Sequence, residues 1–165
     1  MKAVNAIEKK IFTLPQMLAQ IASWRVTNKT IAFTNGCFDI FHEGHIFSLS
    51  QAALEADYLI VGVNSDSSTK RLKGPERPIN HEHSRALLLA SLAIIDAVVI
   101  FDENTPFELI NAVQPDVLVK GGDYTIEQIV GSKEVIANGG RVVINPIVEG
   151  FSTTGIIAQI KSSFS

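Results

Sequence analysis

A single cysteine, Cys37, in 165 residues leaves no internal disulfide to be made, so nothing in the chain asks for an oxidising compartment. Long apolar runs are equally scarce. The longest, residues 86–101, is broken by Ser91 and Asp96 and falls short of the roughly 18 to 20 apolar residues a membrane span needs. Met1 to Phe12 carries lysines but no continuous apolar segment of the secretory kind, and the expectation is a cytoplasmic, soluble protein with no membrane contact. There is no basic surplus: the net charge is −3, and the paired aromatics of RNA modules are missing, which argues against nucleic acid as a partner. Neither G-x-G-x-x-G nor G-x-x-x-x-G-K-[ST] occurs, so a nucleotide site, if present, is of another type. Repeats and low-complexity tracts are absent too.

What is there reads as one ordinary domain spanning residues 1–165, 46% hydrophobic and 19% charged, long enough to bury its own core. Residues 14–25 form an amphipathic helix behind Thr13, with Pro15 in its first turn. Apolar or β-branched runs at 30–34, 58–63, 97–101, 116–120 and 141–145 read as strands, separated by helical spacing at about 45–56, 82–94, 106–113 and 126–137. Five strands alternating with helices predict an α/β fold, a doubly wound five-stranded parallel sheet of Rossmann-like type. Residues 72–80, with Gly74, Pro75 and Pro78, read as a loop beside a cationic cluster: Lys70, Arg71, Lys73 and Arg77 place four of the chain's 14 cations within eight residues. A local positive patch draws in anionic substrates.

The most informative stretch is residues 30–45. A strand breaks at Asn35-Gly36 and leads into a helix whose mouth carries His42 and His45. Three residues apart at a helix start, the two rings share a face where free N–H groups and the helix dipole favour an anion, and Gly44 lets a ligand approach the backbone. The chemistry suggested is phosphate handling. An ordinary helix cap is one alternative and zinc held by Asp39, His42 and His45 another, although the apolar spacing gives Asp39 no obvious common face with the histidines. Asn64 and Asp66 follow the second strand and Gly121-Gly122-Asp123 follows the fourth, both at carboxyl ends of strands, where open α/β sheets bind ligands. Ser152, Thr153 and Thr154 stand at the start of a last helix, positions that caps alone also explain.

Gly36 to His45 resembles the G-x-F-D-x-x-H-x-G-H signature of the cytidylyltransferase-like nucleotidyltransferases, and residues 151–157 resemble their second signature, a Ser-Thr-Thr before a helix. Within that superfamily the stretches Leu72-Lys73-Gly74-Pro75, Arg77-Pro78-Ile79-Asn80 and Lys120-Gly121-Gly122-Asp123-Tyr124 are similar to the heptose 1-phosphate adenylyltransferases that form the second half of ADP-heptose synthases. Departures are Glu43, His81 and Phe151, where a small residue, proline and cysteine are common. The resemblance implies transfer of AMP from ATP, with Mg²⁺ arriving on the ATP and no fixed metal site, to D-glycero-β-D-manno-heptose 1-phosphate. His42 and His45 would be catalytic, with Lys70 and Lys73 closing as a mobile lid. Thr34, Asn35, Gly36, Cys37, Phe38, Gly44, Lys120, Gly121, Gly122, Asp123, Ser152, Thr153 and Thr154 would bind nucleotide and phosphates, and Asp39, Asn64, Asp66, Arg77 and Arg85 the sugar phosphate. Only about thirty residues precede the first strand, so the heptose 7-phosphate kinase step is expected from a separate protein, and a homodimer is the expected assembly. A cytidylyltransferase or adenylyltransferase of the same superfamily using another phosphorylated acceptor, such as glycerol 3-phosphate, and a non-catalytic nucleotide-binding subunit are the competing readings.

Overall fold

The structure is a computed structural model that describes residues 4–146 and 150–164; Met1 to Ala3, the start of the segment read as lacking a signal, lie outside the described residues. Its centre is a parallel sheet of β1 (Ile11–Phe12), β2 (Ile31–Gly36), β3 (Tyr58–Asn64), β4 (Ala97–Phe101), β5 (Val117–Gly121) and β6 (Arg141–Asn145). The spatial order is β1-β4-β3-β2-β5-β6.

Side chains alternate along each strand, so one residue faces one helical layer and the next faces the other. On β3, Ile60 packs with Met17 and Ile21 of α1 (Leu14–Val26), Leu109 and Ile110 of α5 (Phe107–Val113) and Val135 of α6 (Ser132–Ala137). Its neighbours Leu59 and Val61 pack with Leu49 and Ala52 of α2 (Glu43–Ala53) and with Ala86 and Leu89 of α4 (Glu82–Ala90). Two covered faces explain why β3 is apolar almost without interruption. The chain runs from β2 outwards to β3 and β4, then crosses back to pair β5 against the other side of β2. The carboxyl ends of β2 and β5 therefore flank a switch point, where a crevice opens.

Three expectations need correction. The sheet has six strands, not five: Ile11 and Phe12 pair with Val98 and Val99, and two residues are too short to show a period of two. Lys10 steadies this edge by donating from Nζ to the carbonyls of Leu92 and Ile95 at 3.2 and 2.7 Å. The helix expected over 126–137 is two pieces, a 3₁₀ turn Ile126–Gln128 and α6, because Gly131 takes φ +82° and a Cβ there would lie 2.9 Å from Ile110. Leu72 and Lys73, read as the start of the loop over 72–80, instead end α3 (Asp66–Lys73), a helix that also carries Lys70 and Arg71, that Ser65 caps by accepting from the Ser68 N–H and that Gly74 ends at φ +100°. The final helix, α7 (Thr153–Ser163), starts behind Ser152 as expected.

Candidate active site

At the end of β2 the backbone must turn sharply into α2. Phe38 sits in the left-handed region at φ +49°, and a Cβ on Gly36 would lie 3.0 Å from the Phe38 ring, so any larger residue there would have to displace that ring. His42 is the N-cap of α2, and its own N–H donates to Nδ1 of His45 at 3.3 Å. That bond places the His45 proton on Nε2. The two imidazoles stack with centroids 3.8 Å apart and 22° between planes, and Phe41 lies 5.2 Å beyond His45. Gly44 is crowded for a reason the sequence did not show: a Cβ there would lie 3.1 Å from both His42 Nδ1 and Phe151 Cβ, so what approaches this backbone is the His42 ring itself.

Burial pushes His45 from the ordinary 6.5 down to about 4, with the neighbouring His42 adding to the shift, and burial lowers His42 as well. Both rings are therefore neutral at pH 7, each carrying one N–H, and His42 Nδ1 is buried without a hydrogen-bond partner. The stability consequence has a definite sign. A histidine whose folded pKa lies below its unfolded one stabilises fully above the unfolded value, and this is lost as pH falls from 6.5 to about 4, where the unfolded chain binds the extra proton. Urea titrations across that window are expected to show wild-type stability falling more steeply than that of His45→Gln; parallel curves would refute the neutral buried imidazole.

The crevice has two joined lobes that share Asn35, Gly36, Cys37, Phe38, His45, Lys120 and Tyr124. The smaller, about 270 Å³, reaches Thr34, Ser48 and Gly121 beside α2. The larger, about 500 Å³, runs past Asn64 and Lys73 to the loop after β4 and the turn after β5. Lys120 is half-buried at the junction, its ammonium 3.5 Å from Asn35 Oδ1; burial lowers its pKa, Cys37 opposing and Lys73 adding to the effect.

Asp39, Asp66, Arg77 and Arg85 do not line either lobe, contrary to their expected place on the sugar phosphate. Their polar atoms are turned onto one another and onto the β2–α2 loop. Asp39 accepts from Arg77 Nε at 2.6 Å and from the N–H groups of Ile79 and Asn80. Arg85, buried in α4, donates to the carbonyls of Cys37 and Asn80 and to Asp66 at 2.5, 2.9 and 2.8 Å. This network holds the loop that carries Cys37 and Phe38. Lys70, Gly122 and Asp123 also stand outside the walls, as do His42 and Gly44 at the start of α2 and Ser152, Thr153 and Thr154 at the start of the last helix, whereas Lys73 and Asn64 are within them. α3, which carries the two lysines of the expected lid, is bonded to the loop after β4. Ser68 Oγ donates to Glu103 O at 2.8 Å, Ser65 Oγ bonds Asp102, and Arg71 bonds Asn104 Oδ1 at 2.6 Å and the Asp102 carbonyl.

The three hydroxyls of α7 are unequal. Ser152 Oγ accepts from the Gly155 N–H at 2.9 Å as the cap, and Thr153 Oγ1 donates to Ile40 O at 3.1 Å. With the Phe151 ring centroid 6.3 Å from that of His42, the N-terminus of α7 lies beside that of α2. Among the lining residues missed from sequence are Asn104, Thr105 and Pro106 after β4, with Gln128, Ile129 and Val130 after β5. The strand-end rule that picked out Asn64 would have found the β4 group had it been applied there. Among the described residues no three His, Cys, Asp or Glu side chains cluster so as to hold a metal ion, and Asp39 faces residues 77–80 rather than the histidines. Nor is any described helix long and apolar enough to cross a membrane.

The profile of cytidylyltransferase-like proteins matches residues 33–159, from β2 through most of α7. The chain belongs to the cytidylyltransferase-like family of nucleotidyltransferases. Its relatives include the bifunctional protein HldE of Hyphomonas neptunium, 54% identical over 149 residues, covering 90% of this chain and 31% of that protein. The bifunctional protein HldE of Koribacter versatilis is 53% identical over 158 residues, covering 96% of this chain and 32% of that protein. This cytidylyltransferase-like chain thus spans roughly a third of the length of the curated relatives it matches. Among solved structures it resembles a lipopolysaccharide core biosynthesis protein of Thermoplasma volcanium, with TM-score 0.60 and 29% identity over 73% of this chain and 97% of that one. Pantothenate synthetase of Thermus thermophilus, at TM-score 0.58 and 16% identity over 84% of this chain and 62% of that one, shares the fold alone.

Proposed function

We propose that this chain transfers AMP from ATP to D-glycero-β-D-manno-heptose 1-phosphate, giving ADP-heptose and pyrophosphate. The observation that carries this reading is the lining of the crevice: His45, Lys73 and Lys120 face it, and among the described residues no aspartate or glutamate does. Two anions have to be brought together there, and the acceptor phosphate, with a second pKa of about 6, is already mostly dianionic at neutral pH. No general base is needed. An acceptor oxygen forms the new bond to the α-phosphorus, the bond from that phosphorus to the bridging oxygen breaks, and pyrophosphate leaves with the electron pair. Catalysis is then alignment and charge stabilisation.

His45 Nε2–H and the His42 ring stacked on it donate to the triphosphate, and the adjoining N-termini of α2 and α7 receive the departing pyrophosphate, with Thr154 the hydroxyl least engaged elsewhere. Lys120 and Lys73 neutralise the phosphates from the junction side. Cys37, Phe38 and Gly121 line the nucleotide. Asp39, Asp66, Arg77 and Arg85 act through the loop they hold. Mg²⁺, carried in on the ATP phosphates, supplies further charge neutralisation, in keeping with its habit of relying on substrate oxygens. The heptose phosphate comes from an upstream kinase step, and a homodimer is the proposed assembly, with α7, which buries none of its residues, offering contact surface.

The test is pyrophosphate release by the purified protein with Mg²⁺, comparing ATP with CTP and the β with the α anomer. Turnover with ATP and the β anomer alone is expected. Folded, ATP-binding protein that ignores every heptose phosphate refutes the assignment.

A further inference from the structure

The larger lobe is lined by neutral amides whose orientation is set by bonds made outside it. Asn104, exposed at the wall of the lobe, accepts on Oδ1 from Arg71 Nε at 2.6 Å, so its NH₂ is the end left without a protein partner. Gln128 Oε1 accepts from the Thr125 N–H at 2.9 Å, which leaves its NH₂ in the same position. Asn64, buried at the end of β3, is turned the other way: its NH₂ donates to Ser68 Oγ at 3.0 Å, and its oxygen remains as an acceptor. An amide has one accepting and one donating end, so a partner that occupies one end decides what the other presents. Asn104 follows β4 and Gln128 follows β5, on opposite sides of β3 and β2 in the sheet order. The lobe therefore offers donors from two sides and an acceptor at a strand end, with apolar Leu118 and Ile129 among them and cations only at Lys73 and Lys120 among the described residues.

This pattern suits a polyhydroxylated, otherwise uncharged body attached to a phosphate. Hydroxyl groups accept from the amide NH₂ groups and donate to the Asn64 oxygen, while the phosphate lies toward the lysines. We propose that Asn104 and Gln128 are sugar-reading residues, donating to acceptor hydroxyls, with Asn64 accepting from another. The proposal rests on the sugar-phosphate reading above and places the acceptor's sugar in the larger lobe, leaving the smaller one to the nucleotide phosphates.

Asn104→Asp and Gln128→Glu keep the oxygens that Arg71 and Thr125 need and replace the cleft-facing NH₂ by an oxygen. Asn104→Ala and Gln128→Ala remove the donor without adding charge. Each of the four is expected to raise KM for heptose 1-phosphate about tenfold, as loss of one hydrogen bond to a substrate does, with kcat and KM for ATP within about twofold of wild type. An effect confined to the Asp and Glu variants is generic repulsion of an anion and overturns the proposal. So does a parallel loss of ATP binding in the alanine variants, which marks a structural role. If wild type rejects heptose 1-phosphate but turns over another phosphorylated acceptor, the acceptor assignment falls by itself. Unchanged KM values of the four variants for that acceptor then overturn this inference as well.

Discussion

Replacing His45 by alanine is expected to lower kcat by about 10²- to 10³-fold, the usual loss when one donor to a transition state is removed. The structure makes the role of His45 specific. Its Nδ1 is occupied by the His42 N–H and its ring is held by Phe38, Phe41 and His42, so one group, Nε2–H, is left to face the crevice. A neutral imidazole is suited to the task, because it enters without a strong ground-state charge pairing and gains most as negative charge grows on the α-phosphoryl group. His45→Gln separates this donor role from the helix cap. Glutamine at the third helical position accepts from the N-cap N–H as His45 does, so α2 keeps its start while the donor moves. Both variants are expected to melt cooperatively, bind ATP and turn over slowly in pyrophosphate-release assays; a kcat close to wild type for either would refute the assigned role.

How far the site was legible from sequence varies with the reach of the interaction. Gly36, His42 and His45 were readable because their geometry is local: a strand end, a turn dipeptide and two positions on one helical turn. The parallel sheet was readable for the same reason, since β3 and β4 advertise two-sided burial in their own composition. The network of Asp39, Arg77 and Arg85 was not, because Arg85 lies 48 positions from the Cys37 carbonyl it bonds and 19 from Asp66. In sequence these residues look like charges free for a substrate, and only the fold shows that they satisfy one another. The amide orientations of Asn104 and Gln128 are likewise invisible without the partners that fix them. Where the reading failed on regular structure, a glycine or a two-residue strand was responsible: Gly131 interrupts the run from 126 to 137, and β1 owes its existence to pairing with β4 rather than to its own pattern.

Asp39→Asn is expected to cost about 3–5 kcal/mol of stability, the range for breaking a buried ion pair by removing one partner. The Asp39 side chain is fully buried, Arg77 is 13% exposed, and every donor aimed at the carboxylate is a fixed N–H: Arg77 Nε, Ile79 N and Asn80 N. Asparagine has the same shape but turns one oxygen into an NH₂ that faces those donors, and it leaves the guanidinium without its counter-charge. Burial alone would raise the Asp39 pKa, but the N–H groups of Asn80 and Ile79 and the Arg77 guanidinium outweigh it and hold the carboxyl below its ordinary 3.8. Its contribution is therefore complete above pH 3.8 and is lost as pH falls through the lower folded value, so the variant's acid limb should be flatter than wild type's. Urea midpoints of Asp39→Asn, Arg77→Leu and the double variant test the coupling. The double variant should lose clearly less than the two singles added together, because an unpaired buried charge costs more than a missing pair. Additive losses would mean that the two side chains do not act as one unit. Activity should fall with stability, since Asp39 also anchors Asn80, whose carbonyl shares Arg85 with that of Cys37, and the left-handed Phe38 between Cys37 and Asp39 persists only while the loop on both sides of it is held.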